Sequence, residues 1–145
     1  MSFKNILCFG TLNPDLIYFV DKLPNKGDDI RSSKSSMRPG GTAINCSELI
    51  SLWNKPVQVR GNSIGKDPMG NYLVEYLKEN NINFDGLIIN ELMTPTCSIF
   101  VDASGERTIV SSGYEGLEWS NFENLSSFDS LILDRYSIRF IKDNL

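Results

Sequence analysis

The chain contains no histidine. That removes the usual base of a Ser-His-Asp triad and the commonest side-chain ligand of transition metals. Cysteine is scarce: Cys8, Cys46 and Cys97 are scattered, odd in number and form no C-x-x-C pair. Neither a zinc ribbon nor a redox dithiol is encoded, no metal ligand set is expected, and a reducing cytoplasm suits such thiols. No apolar run is long enough to span a bilayer, and the run Ile6–Phe9 is too short for a signal peptide. Blocks of Lys and Arg are missing and the net charge is −4, which argues against nucleic acid or an anionic membrane as partner. The G-x-x-x-x-G-K-[ST] spacing of a phosphate loop is absent as well. There is no internal repeat and no long linker.

What is present describes an ordinary soluble domain. At 145 residues, 41% of them apolar and 22% charged, the chain fits a single domain, 1–145, with a real core. Ile6–Gly10 reads as a buried strand from its continuous apolar run. Leu16–Val20 is a second extended run, and Asn13-Pro14-Asp15 before it has the composition of a turn. Residues 28–38 are polar and Ser-rich and read as an exposed strand or flap. Thr42–Trp53 is predicted as a helix with Ile44, Leu49, Ile50, Leu52 and Trp53 on one side. Val57–Gly61 is a short strand. Asp67-Pro68 opens another helix, with Asp as N-cap and Pro at the first position. Leu87–Ile89 is predicted as a strand, Trp119–Leu125 as a weak helix, Leu131–Leu133 as a buried strand, and Ile138–Leu145 as the start of a helix. Cys97–Val101 and Arg107–Ser111 flank the turn residues Asp102–Glu106, a hairpin. This alternation predicts an α/β fold with a mainly parallel sheet.

Two polar clusters stand out. One is Asn13 and Asp15, close behind the first strand. The other is Gly40-Gly41-Thr42-Ala43-Ile44-Asn45, where a glycine pair runs straight into a helix. Paired glycines let backbone approach a ligand and adopt positive φ. The helix start offers free N–H groups, and Asn45 adds an amide that both donates and accepts. Ligands of open α/β sheets bind beyond the carboxyl ends of strands, so both clusters can face one pocket suited to hydroxyl groups.

These motifs, in this order, resemble the N-terminal half of a ribokinase-like (PfkB family) carbohydrate kinase. The match runs through Asn13-Pro14-Asp15, Leu23–Asp28, Gly40–Ser47, Gly65–Gly70 and Gly105–Val110. Cys97–Val110 and Leu131–Arg135 look most like the ketohexokinase branch. Thr42, where ketohexokinases carry Asn, and Asn54, where the family usually has Gly or Ser, are departures. The resemblance implies an αβα sandwich with a small β-sheet lid made of segments 28–38 and 97–111. It implies transfer of the ATP γ-phosphate, with Mg2+, to a sugar hydroxyl. Substrate-binding positions then fall on Asn13, Asp15, Gly40, Gly41, Thr42 and Asn45, with Arg107 as a phosphate contact and the lid as a homodimer surface.

Family members are about twice as long, and their catalytic Asp lies in a downstream Gly-Ala-Gly-Asp. No such motif occurs here, so no catalytic residue is assigned. The C-terminal half of the fold and the ATP site are expected to be missing, and the 145 residues are expected to be inactive alone. Two alternatives accompany this reading: a shortened, non-catalytic protein that binds sugar or pairs with a subunit, and a nucleoside kinase of the same fold. Asp67 reads as a helix cap. Asp134-Arg135 reads either as pocket floor or as a surface ion pair.

Overall fold

The computed structural model describes residues 5–122 and 124–141. A three-stranded parallel sheet carries the core, in the order β4 (Val57–Gly61), β1 (Ile6–Gly10), β9 (Ser130–Leu133). β1 lies in the middle and is buried on both faces, which is why its sequence is continuously apolar. Cys8 joins one cluster with Leu12, Ile44, Val59, Leu73 and Leu77. Leu7 and Phe9 join a second cluster with Phe122, Trp119, Leu131 and Leu133. The register Leu7↔Leu131 and Phe9↔Leu133 keeps like faces together.

The first cluster is covered by α1 (Thr42–Leu52) and α2 (Pro68–Glu79). The buried stripe of α1 is Ala43, Ile44, Ser47 and Ile50. Leu49, Leu52 and Trp53 are exposed instead of facing the core as predicted. Asn54 leaves the helix at φ 53, a left-handed turn that Asn tolerates.

Asp67 caps α2 as expected. Its Oδ1 accepts from Gly70 N and from Thr94 Oγ1, both at 2.8 Å, and its Oδ2 accepts from Thr94 N at 2.8 Å. Burial pushes this carboxyl up, but the donors from Thr94 and Gly70 outweigh burial and hold it below the usual carboxylate range.

A separate four-stranded sheet has the order β3 (Lys34–Gly40), β2 (Asn13–Phe19), β7 (Thr96–Val101), β8 (Arg107–Ser112). β2 pairs antiparallel with β3 and parallel with β7, and β7–β8 is a hairpin. β2 thus stands between the two segments that the sequence reading paired, and residues 28–33 carry no strand. Asn13-Pro14-Asp15 is strand, not turn, because pairing with Gly40–Arg38 overrides the local preference.

Two other expectations change. Ile89–Asn90 (β6) replaces Leu87–Ile89 and pairs with β5 (Ile64–Gly65). Among the described residues of 119–125 no α-helix forms, and residue 123 lies outside them. Trp119 bridges Asn62, Ser120 N donates to Gly61 O, and only Leu125–Ser127 forms a single 3-10 turn. The last helix is described over Ile138–Ile141 (α3); the rest of that expectation lies outside the described residues. Among the described residues, no helix is long and apolar enough to cross a membrane.

Candidate functional site

β1 ends at Gly10 and the chain turns through Thr11 and Leu12 into β2. Buried polar side chains fix this crossing. Asn62 Oδ1 accepts from Leu12 N at 2.7 Å and Asn62 Nδ2 donates to Leu12 O at 3.0 Å. Asp134, at the end of β9, accepts from Thr11 N at 2.7 Å and from Thr11 Oγ1 at 3.0 Å. Its other oxygen accepts from Tyr136 N and Ser137 N. Asp134 is therefore not a surface ion pair. It is a buried clamp, while the exposed Arg135 turns to Tyr136.

Thr11 in turn receives the start of α1. Ala43 N donates to Thr11 O at 3.2 Å and Thr42 N donates to Thr11 Oγ1 at 3.3 Å. Gly41 has φ 85, and a Cβ there would collide with the Thr11 carbonyl. Gly40 is required for a different reason: a Cβ would occupy the space of the Asp15 carboxyl group. The glycine pair thus brings the helix onto β1 and clears room for a carboxylate.

Asp15 is half-buried on β2, in register with Arg38 on β3 and Cys97 on β7. Its Oδ1 accepts from Asn13 Nδ2 at 2.7 Å. Among the described residues, nothing donates to its Oδ2. Burial raises the Asp15 pKa, against the opposing pull of the Asn13 amide and the Arg107 charge. Arg107 is exposed on β8.

Asn13 is nearly fully buried, 2% exposed. It donates to Pro14 O as well as to Asp15, and it accepts from Tyr114 Oη at 2.9 Å. Its hydrogen-bonding groups are all used inside the protein. Thr42 and Asn45, by contrast, are exposed on the first turn of α1, and the Asn45 side chain is uncommitted among the described residues.

The structure sets Asp15 against Gly40 with Asn13 behind it, and leaves Thr42 and Asn45 exposed on the turn that follows Gly41; this end of β2 and α1 is the candidate mouth. The sequence reading missed Thr11, Tyr114 and Asp134 as parts of this arrangement. Only Asp134 carried a signal, a carboxylate behind a buried strand. Among the described residues, no cluster of Cys, Asp or Glu could hold a metal ion. A hollow of about 230 Å³ lined by Arg60, Gly86, Ile88, Asn121 and Asn124 shares no residue with this mouth.

A central parallel sheet, a second small sheet and a carboxylate at a glycine-helix junction define an α/β protein of the ribokinase fold. The model of the pfkB family carbohydrate kinases matches residues 4–141, and the chain belongs to that family. It is 28% identical over 111 residues to a ribokinase of Dictyostelium discoideum, covering 76% of this chain and 35% of that protein. It is 29% identical over 112 residues to a ketohexokinase of Mus musculus, covering 76% of this chain and 37% of that protein. The crystal structure of a Cryptococcus neoformans ribokinase in complex with ADP superposes with a TM-score of 0.76 at 24% identity, over 92% of this chain and 41% of that one. The chain thus spans less than half the length of these relatives.

Proposed function

We propose that this chain forms the acceptor-binding half of an ATP-dependent sugar kinase. The observation that carries this reading is the Asp15 carboxylate packed against Gly40, with one oxygen engaged by Asn13 and the other without a donor among the described residues. A carboxylate accepting a sugar hydroxyl makes a charge-assisted hydrogen bond. Asn45 and Thr42 add polar groups beside it, and the first turn of α1 adds its N–H dipole. Asn13 supports Asp15 from behind. Arg107 is assigned to a transferred phosphoryl, whose equatorial oxygens need positive charge.

ATP with Mg2+ supplies the phosphoryl group in the whole enzyme. No step of transfer is assigned to the residues of this chain. Asp15 binds the acceptor, and no residue here is assigned as the base. The second sheet acts as a lid over the mouth. Met37 and Val110 lie in one cross-strand row with Leu16 and Ser98 and are exposed on one face of it, and this apolar patch pairs two copies of the chain. Three free cysteines suit a cytoplasmic setting.

Ligand-shift melting with D-fructose, D-ribose, 2-keto-3-deoxy-D-gluconate and adenosine tests the reading. A sugar is expected to raise the melting temperature of the wild-type chain but not of Asp15→Ala. That variant should lose about 1.5–3 kcal/mol of binding. A shift with adenosine alone would identify a nucleoside kinase instead, and no shift with any of the four refutes the assignment. A coupled ADP-release assay on the chain is expected to show no sugar-dependent turnover.

A further inference from the structure

Tyr114 lies just past β8, beyond the positive-φ Gly113, and 101 residues from its partner Asn13. Its hydroxyl donates to Asn13 Oδ1 at 2.9 Å. The other two neighbours of that amide, Pro14 O and Asp15 Oδ1, are acceptors only, so the NH2 end must face them. The phenol completes the set by taking the carbonyl end. Behind the phenol stands Cys97 Sγ at 3.7 Å, itself 3.4 Å from Ser111 Oγ. A line of polar contacts therefore runs from the β7–β8 hairpin through Tyr114 and Asn13 to the carboxylate. Burial first, and then the neighbouring Cys97 and Asp15, push the Tyr114 pKa far above the usual phenol value. The hydroxyl keeps its proton and remains a donor.

We propose that Tyr114 is the positioning residue of the acceptor site: it locks the buried Asn13 amide, which holds Asp15 Oδ1, so that Oδ2 alone meets the acceptor hydroxyl. Calling the bound molecule a sugar rests on the function proposed above; the lock on Asp15 does not. Among the described residues, no other group bonded to Asp15 performs this task. Arg38 on β3, Cys97 on β7 and Arg107 on β8 are its register or charge neighbours, but the Asn13 amide is the group bonded to it. Unlocked, Asn13 can turn its oxygen toward the carboxylate, and the carboxylate loses both its orientation and its donor.

The test is Tyr114→Phe in the full chain, followed by carbon-13 NMR titration of the Asp15 carboxyl and by calorimetry with D-ribose and D-fructose. The Asp15 titration is expected to move upward, and the sugar dissociation constant to rise by about two- to tenfold. A side chain that merely fills space would lower the melting temperature and leave the Asp15 titration where it was; that result overturns the proposal. If neither sugar binds the wild-type chain, the kinase reading fails, while the titration still decides the role of Tyr114. If Tyr114→Phe does not fold, exchange of the Asn13 side-chain amide protons in the wild-type chain decides it. Slow exchange supports the lock, and exchange at the solvent rate overturns it.

Discussion

Asp134 Oδ2 accepts both the backbone N–H and the hydroxyl of Thr11, 123 residues away. This pair ties the end of β9 to the turn on which α1 rests. Removing the carboxylate in Asp134→Ala strands the N–H groups of Thr11 and Ser137 in buried positions. A loss of about 2–4 kcal/mol in urea unfolding is expected. A loss below about 0.5 kcal/mol would mean that water replaces the clamp.

The two glycines should separate by experiment. Gly41→Ala forces a side chain into left-handed backbone and against the Thr11 carbonyl. The conformation alone, φ 85 and ψ 152, costs about 1–3 kcal/mol, and the carbonyl cannot move aside. Gly40→Ala meets the Asp15 side chain, which can swing away. Its stability should stay within about 1 kcal/mol of wild type, while sugar-induced melting shifts disappear. Denaturation and ligand-shift melting on both variants check the contrast.

Asp15 should cost the ligand-free fold stability at neutral pH. Its folded pKa is raised, chiefly by burial. A raised pKa gives stability that is complete below the unfolded value and lost as pH rises through the folded one. Asp15→Asn keeps an oxygen for the Asn13 amide and removes the charge. The variant is expected to melt higher than wild type at pH 7, with the gap closing as pH falls toward the carboxylate range. It should also bind sugar more weakly, the trade expected of a binding group.

Asp67 has the opposite sign. Its pKa is lowered in the fold, so its contribution is present above the unfolded carboxylate value and lost as pH falls through the folded one. Asp67→Ala should lower stability at pH 7 by about 1–2 kcal/mol through the lost cap. It should also flatten the acid limb of a melting-temperature profile.

Sequence alone reads well where the signal is local. The continuous run of β1, the Asp67-Pro68 helix start and the left-handed Asn54 each follow from a few adjacent residues. It fails where a distant partner decides. Asn-Pro-Asp has turn composition, yet it pairs with Gly40–Arg38 on one side. The helical spacing around Trp119 yields to a bridge with Asn62 and a bond from Ser120 to Gly61. At the site, Asp15 and the glycine pair were legible as a polar cluster before a helix. Tyr114 was not, because nothing near residue 114 announces a bond to residue 13.

The parallel pairing of β2 with β7 also governs the order in which the molecule assembles. Asp15 sits opposite Cys97, and the intervening chain holds α1, β4 and α2. Closing so long a loop is slow, and a chain emerging from the ribosome cannot do it until the hairpin has been made. Until then, the strand bearing the carboxylate has β3 as its single neighbour. Hydrogen-exchange pulse labelling during refolding should therefore find that the β2 amides facing β7 gain protection with the hairpin, later than the amides of α1.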